Sequence, residues 1–113
     1  MDTIQILASN GKREGMRVLA VKGPVTIHTI FDFQNVVRAD SAPAMIFDFS
    51  AVPYVDSAGL GAMVGAVVTL QKANRKIAFS GMNEKVTALV QMSHLSQVIR
   101  NYPTVEEAET AVS

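Results

Sequence analysis

The chain has 113 residues, enough for one domain, and 49% of them are hydrophobic, so it can bury a core and is not a disordered segment. Ten basic and ten acidic residues cancel, which argues against direct binding of nucleic acid or of an anionic membrane surface. The lack of cysteine excludes disulfides, thiolate metal sites and cysteine catalysis.

Two strands are predicted at the N-terminus. Residues 3–7 alternate between apolar and polar side chains, with Ile4 and Ile6 on one face. A polar, glycine-flanked turn follows, and residues 16–21 form the second strand. We expect the two strands to form a hairpin that ends at Gly23.

The first helix is predicted over residues 27–38, with Thr26 as its candidate N-cap. A polar loop then leads to residues 44–49, a nearly continuous apolar run that is typical of a strand buried on both faces. The apolar residues at helical spacing in the first helix are Ile27, Ile30, Phe31 and Val37.

The change from strand to helix after residue 49 is sharp and falls on Asp56 and Ser57. The second helix runs to about residue 73, and its apolar face is formed by Leu60, Met63, Val64, Val67 and Leu70. Either Asp56 or Ser57 can cap this helix, because a short polar side chain can accept a bond from a free backbone N–H.

Three glycines in the first turns of this helix, Gly59, Gly61 and Gly65, are poor helix formers, and we interpret them as sites of close approach by another backbone. Because free N–H groups and the helix dipole favour an anion, a hydroxyl at Ser57 is also well placed to carry a phosphate. The alternative is that Ser57 only caps the helix.

The rest of the chain continues to alternate. A short buried strand is predicted at residues 77–79, a helix capped by Asn83 follows, and residues 98–99 form the last strand. Thr104 and Glu107 have the spacing of a capping box that opens the last helix. The apolar sides of these two helices carry Val86, Leu89 and Val90, and Val105, Ala108 and Val112.

The predicted fold is a single α/β domain over residues 1–113, in the order β-β-α-β-α-β-α-β-α. Parallel strands and an N-terminal hairpin give a mixed sheet of four to five strands with about four helices. Sites in such sheets lie beyond the carboxyl ends of the strands, where the turn 23–26 and Asp56-Ser57 both fall.

No catalytic constellation is apparent, and we predict that the chain is not an enzyme. Ser57 lacks the Gly-x-Ser-x-Gly elbow, there is no phosphate-binding glycine loop with a lysine, and Asp48 is better placed to bond its own loop. His28 and His94 are far apart without ligand spacing, so no metal or cofactor is predicted. Without a signal peptide or a run that could span a bilayer, the expected location is the cytoplasm, with no membrane insertion.

The run from Phe47 to Gly61, with Asp56-Ser57-Ala58-Gly59-Leu60 at its centre, resembles the signature of STAS domains, in particular of bacterial anti-sigma-factor antagonists. The resemblance extends over nearly the whole chain, including residues 18–23 and 86–99. It implies that Ser57 is the phosphoacceptor of a partner-switching regulator of transcription. The implied partner-binding residues are Thr26, Asp56, Ser57, Ala58, Gly59, Leu60 and Gly61.

The same resemblance implies the partners. The unphosphorylated protein would bind a kinase-type, ATP-binding anti-sigma factor and release the sigma factor, phosphorylation would end binding, and a serine phosphatase would restore it. An exposed partner-binding face also allows a weak homodimer. A second hypothesis is a STAS subunit without a switch, in a lipid- or anion-transport complex.

Three positions depart from the family pattern. Thr26 stands where the family commonly has Asp, Ala58 where Ser or Thr is common, and His94 where Gly is frequent. We expect these departures to bear on partner recognition rather than on the fold.

Overall fold

The N-terminal hairpin is confirmed. In the computed structural model, which describes residues 3–113, strand β1 (Gln5–Asn10) pairs antiparallel with β2 (Met16–Lys22). The ladder continues to Asn10, beyond the predicted end at residue 7, because the register is unbroken up to the turn. There Gly11 donates its N–H to the carbonyl of Met16 at 2.9 Å.

Three further strands extend the sheet in parallel from β2: β3 (Ala44–Ala51), β4 (Lys76–Ser80) and β5 (Asn101–Tyr102). Their spatial order is the order of the chain, β1-β2-β3-β4-β5. The connecting and terminal helices are α1 (Ile30–Ala39), α2 (Ser57–Lys72), α3 (Glu84–Met92) and α4 (Val105–Ala111). The predicted mixed α/β order is therefore confirmed.

The larger core lies between the sheet and the side chains of α1, α2 and α3. At its centre the Phe47 ring lies 5.1 Å from that of Phe33 and 5.5 Å from that of Phe79. The ring of Phe49 packs edge-on against the rings of Phe33 and Phe79. Helix α4 covers the opposite face, where Ala108 packs with Ile46 and Ala78 in a second cluster. Successive residues of the central strands β3 and β4 are thus buried on both faces of the sheet, as their apolar sequences require.

The predicted start of α1 is wrong. The helix begins at Ile30 rather than at residue 27, and Thr26 instead accepts a hydrogen bond from the N–H of His28 in the preceding turn. Its buried residues are Phe33 and Val37, whereas Phe31 is 70% exposed. The observed face is favoured because Phe33 fills the aromatic core described above.

The predicted strand at residues 98–99 is also wrong. These residues lie in a turn, where Ile99 is buried although Val98 is exposed, and the strand forms at Asn101 and Tyr102. The predicted caps of the last two helices are confirmed, since Asn83 accepts from the N–H of Val86 and Thr104 from that of Glu107. Over residues 3–113, no helix has the length and apolarity needed to cross a bilayer.

Candidate functional site

Two loops at the carboxyl edge of the sheet are joined into one surface. Val25, after β2, and Val55, after β3, form an isolated parallel bridge. Val25 donates to the carbonyl of Tyr54 at 3.2 Å and accepts from the N–H of Asp56 at 3.3 Å. The expectation that these two loops share an edge is therefore confirmed, and the geometry of Asp56 depends on both.

Asp56 is the N-cap of α2, and its carboxylate holds both loops. Oδ1 accepts from the N–H of Gly59 at 2.8 Å, which satisfies a free donor of the first helical turn. Oδ2 accepts from the N–H of Ile27 at 3.0 Å, in the turn before α1. Of the two cap candidates, the structure selects Asp56, and Ser57 becomes the first helical residue.

The electrostatics of this carboxylate favour its charged form. Burial is the largest single influence and raises the pKa of Asp56. Backbone N–H groups of Gly59, Ile27 and Ala58 donate to the carboxylate and lower the pKa, as does the charge of nearby His28. Together they outweigh burial, so the pKa lies below its ordinary value of 3.8 and the group is an anion at neutral pH.

Gly59 allows the two loops to approach. It is buried, and a Cβ at this position would overlap the backbone carbonyl of Val25. The prediction of close backbone approach is confirmed here and wrong for Gly61 and Gly65, where added Cβ atoms would meet nothing within 4 Å.

Ser57 lies exposed at the start of α2, where the first helical N–H groups are directed outwards. Its hydroxyl forms no hydrogen bond with any of residues 3–113, and it neighbours the fixed carboxylate of Asp56. A hydroxyl that is accessible, held on a rigid element and close to a helix N-terminus is chemically suited to carry a phosphate.

The residues expected to bind a partner divide by exposure. Thr26 is only 4% exposed, and Gly59 and Leu60 are buried, so these residues shape the site from beneath. The accessible surface is formed by exposed Ser57 and Gly61 together with half-buried Asp56 and Ala58.

A groove of about 410 Å³ continues this surface between α1 and α2. Its α2 wall consists of small residues, and Ala58 next to Ser57 is its end member. Ile27, whose N–H donates to Asp56, is 55% exposed, and Phe31, which follows the groove residue Ile30 in the chain, is 70% exposed. Sequence analysis missed both as surface residues. The signal was present in two large apolar side chains at i and i+4, but the same spacing is typical of a core face. The groove is lined by Ile30, Gln34, Val37, Arg38, Ala58, Gly61, Ala62, Gly65, Ala66 and Thr69.

Asp48 and Arg75, polar residues outside this surface, have structural roles. Asp48 accepts from the N–H of Ser50 within its own strand end, as expected. Arg75 donates to the carbonyls of Ala42 and Asp40 and so ties the end of α2 to the loop before β3. Among the described residues, no group of histidine and carboxylate side chains is arranged to hold a metal ion.

Comparison with known proteins identifies a family and several solved structures that are similar to this chain. The family model of the STAS domain matches residues 9–108. An anti-sigma factor antagonist from Mycobacterium paratuberculosis is 26% identical, with 97% of this chain and 94% of that chain covered and a TM-score of 0.85. The Bacillus cell fate determinant SpoIIAA in its phosphorylated form is 17% identical, with 96% and 100% covered and a TM-score of 0.72.

The same fold also occurs within a larger protein. The murine anion transporter Slc26a9 is 16% identical, with 99% of this chain but 22% of the transporter covered and a TM-score of 0.78. At this identity the likeness shows the fold alone.

Proposed function

The chain belongs to the STAS domain family, and we propose that it is an anti-sigma-factor antagonist whose binding is switched off by phosphorylation of Ser57. The unphosphorylated form binds a kinase-type, ATP-binding anti-sigma factor in the cytoplasm and so releases a sigma factor. A serine phosphatase returns the protein to its binding form. The protein itself acts by binding, without catalysis, a cofactor or contact with nucleic acid.

One observation carries this proposal. The Ser57 hydroxyl is exposed at the first position of α2, beside a carboxylate fixed by two loops. The 26% identical relative, an anti-sigma factor antagonist similar over almost the whole of both chains, supports the same class of function. The phosphorylated form of SpoIIAA, a protein of the same fold, is an example of such a domain that carries a phosphate.

The switch follows from charge. A phosphate adds about −1.5 to −2 charges at neutral pH. Asp56 already carries a negative charge there, because its pKa is lowered, so phosphorylation concentrates like charges on one small surface. A partner that covers this surface then has to desolvate both anions. The helix N-terminus stabilises the phosphate within the protein itself, so affinity falls while the fold is kept.

Apolar contacts next to the switch supply affinity. Ile27, bonded to Asp56 through its N–H, and Phe31, next in the chain to the groove residue Ile30, both expose large apolar side chains. Large apolar residues that remain exposed next to a polar motif are typical of protein–protein contact surfaces. The proposed interface therefore combines this apolar margin with the Asp56-Ser57 switch.

The test is capture of partners from a native lysate with ADP present, using the wild type and Ser57→Asp as parallel baits. Asp is well accepted in the first helical turn, so thermal unfolding should show that Ser57→Asp stays folded. We expect the wild type to retain a kinase-like anti-sigma factor, identified by mass spectrometry, and Ser57→Asp to lose it. Ser41→Asp, which adds the same charge at an exposed loop serine, should retain it.

Two results would contradict the proposal. If both baits retain the same kinase, the protein is an antagonist, but Ser57 is only the residue after the helix cap and not the switch. Recovery of transporter subunits by both baits would instead identify a STAS subunit without a switch. This alternative is suggested by the anion transporter Slc26a9, which contains a domain of the same fold.

A further inference from the structure

Strand β1 forms one edge of the sheet over the described chain. It is outermost in the strand order, and of the described strands it pairs only with β2. The opposite edge, β5, has two residues, whereas β1 has six. A long edge strand presents unpaired backbone N–H and C=O groups that can pair with another strand.

The hairpin register identifies which backbone groups face outwards. Gly11 donates to the carbonyl of Met16, which makes these two a hydrogen-bonded pair at the end of the ladder. Hydrogen-bonded and non-hydrogen-bonded pairs alternate along antiparallel strands, so the backbone groups of the preceding residue point away from β2. The bond from the N–H of Gly23 to the carbonyl of Ala51 in β3 agrees with this alternation. The β1 residues with outward-facing groups are Ile6, Ala8 and Asn10.

The sequence of β1 contains none of the features that protect an edge. Natural edge strands carry charged residues, proline or a bulge, or are covered by another element. Gln5–Asn10 has no charged residue and no proline, and its pairing with β2 continues without a bulge. Leu7 and Ala8 are both exposed. The edge is therefore open to pairing.

We propose that β1 pairs antiparallel with β1 of a second copy of the chain, so that the two sheets continue across a two-fold axis. An axis centred on Ala8 pairs Ile6 with Asn10 of the second copy and Ala8 with its own counterpart. In this register each outward N–H and C=O of β1 has a partner in β1 of the second copy, so the strand is complementary to itself and the pairing needs no second kind of chain. A neutral strand in a chain of net charge zero offers no charge repulsion to oppose this pairing.

Sedimentation equilibrium of the purified chain over a dilution series tests the dimer. We expect the mass to rise from 12.1 kDa towards twice that value with concentration. Ala8→Pro removes an N–H that points away from β2, and Ala8→Lys places like charges opposite each other at the axis. Each should weaken the dimer by about tenfold or more. Ala88→Lys, on the exposed side of α3, adds the same charge and should dimerise as the wild type does.

Amide hydrogen exchange gives a second readout that does not depend on the variants. The amides of Ile6, Ala8 and Asn10 should gain protection as concentration rises, whereas those of Leu7 and Ser9, bonded to β2, should be protected throughout. A wild type that stays monomeric would overturn the proposal. So would a dimer that leaves the amides of Ile6 and Ala8 exchanging freely, or one that forms equally well in Ala8→Lys.

Discussion

A single side chain, Asp56, connects the first turn of α2 to the turn before α1. Its two carboxylate oxygens accept from Gly59 in the first turn of α2 and from Ile27 in the turn before α1. This arrangement positions Ser57, because the adjacent Asp56 holds both the first turn of α2 and the turn before α1. At the residue scale, the candidate switch is therefore a positioned hydroxyl whose support comes from the adjacent carboxylate.

Removal of this carboxylate should destabilise the protein. We expect Asp56→Ala to lower the free energy of unfolding by about 1–2 kcal/mol, because it removes an N-cap and leaves the Ile27 N–H without an acceptor. Asp56→Asn keeps one acceptor oxygen and should lose less. Urea denaturation of the three proteins measures both effects, and an Asp56→Ala variant as stable as the wild type would show that the cap contributes nothing.

The same carboxylate predicts a pH dependence. Because the folded pKa of Asp56 is lowered, the unfolded chain binds its proton first as pH falls. The stabilisation is therefore complete above the ordinary value of 3.8 and is lost as pH falls through the lower folded pKa. The difference in unfolding free energy between the wild type and Asp56→Ala should be constant near neutral pH and should shrink in acid. A difference that grows in acid would contradict the assignment.

The glycines of α2 should respond to alanine in opposite directions. Gly59→Ala places a Cβ against the Val25 carbonyl and should destabilise the protein by several kcal/mol, about 3 or more, as the two loops separate. Gly61→Ala meets open space and should stabilise it by about 0.5–1 kcal/mol through helix propensity. Thermal unfolding of both variants separates the two roles. Equal effects would mean that the loops tolerate the added methyl group.

At the element scale, α3 ends in a hydrogen-bonded C-terminal motif that favours glycine. Leu95 donates to the carbonyl of Val90 and His94 to that of Gln91, the two bonds of a Schellman motif. His94 has φ of 58°, in the left-handed region where a side chain is strained. Here a non-glycine residue occupies the position where the family frequently has glycine.

His94→Gly should therefore stabilise α3. We expect the free energy of unfolding to rise by about 0.5–1 kcal/mol, since relief of the backbone strain exceeds the added flexibility of the unfolded chain. Gln91→Gly, inside the helix, should lower it by a similar amount. Chemical denaturation of both variants checks the pair, and a loss of stability in His94→Gly would show that the imidazole makes a compensating contact.

Element order could be predicted from the sequence, but not every element's buried face. The change of apolar period at Ser57 identified α2 and limited its cap to Asp56 or Ser57, because that signal is local. Around the start of α1, Ile27 and Phe31 have the same spacing as Phe33 and Val37, so spacing alone fits either face. The choice depends on the rings of Phe47 and Phe49, which belong to β3. For the same reason the apolar surface beside the candidate site could not be predicted from the sequence.

The last strand shows a related limit. Val98 and Ile99 have the composition of a strand, yet Ile99 is buried from within a turn. Backbone pairing with β4 is formed by the residues that follow: Phe79 donates to the carbonyl of Arg100 at 2.9 Å. The apolar composition of residues 98–99 indicates burial, but it does not indicate strand pairing. Pairing with β4 depends on which backbone N–H and C=O groups lie within hydrogen-bond distance of that strand.

At the scale of the whole molecule, the C-terminal helix α4 is hydrogen-bonded to the turn of the N-terminal hairpin. Glu109 of α4 is buried, and its Oε2 accepts from the backbone N–H of Lys12, 97 positions away, at 2.6 Å. The Lys12 ammonium in turn donates to the hydroxyl of Thr110 at 3.0 Å. No local pattern could predict this contact, because the two groups meet only when the whole sheet has formed.

Glu109→Ala should therefore loosen the hairpin as well as α4. We expect a loss of about 1–3 kcal/mol in unfolding free energy, because a half-buried N–H is left without an acceptor. Glu109→Gln keeps the acceptor oxygen and should lose less, and Glu106→Ala, an exposed change on the same helix, should be nearly neutral. Amide exchange gives the decisive local readout: the Lys12 amide should lose protection in Glu109→Ala alone. If it keeps its protection while the global stability falls, the carboxylate acts on the packing of α4 and not on the hairpin.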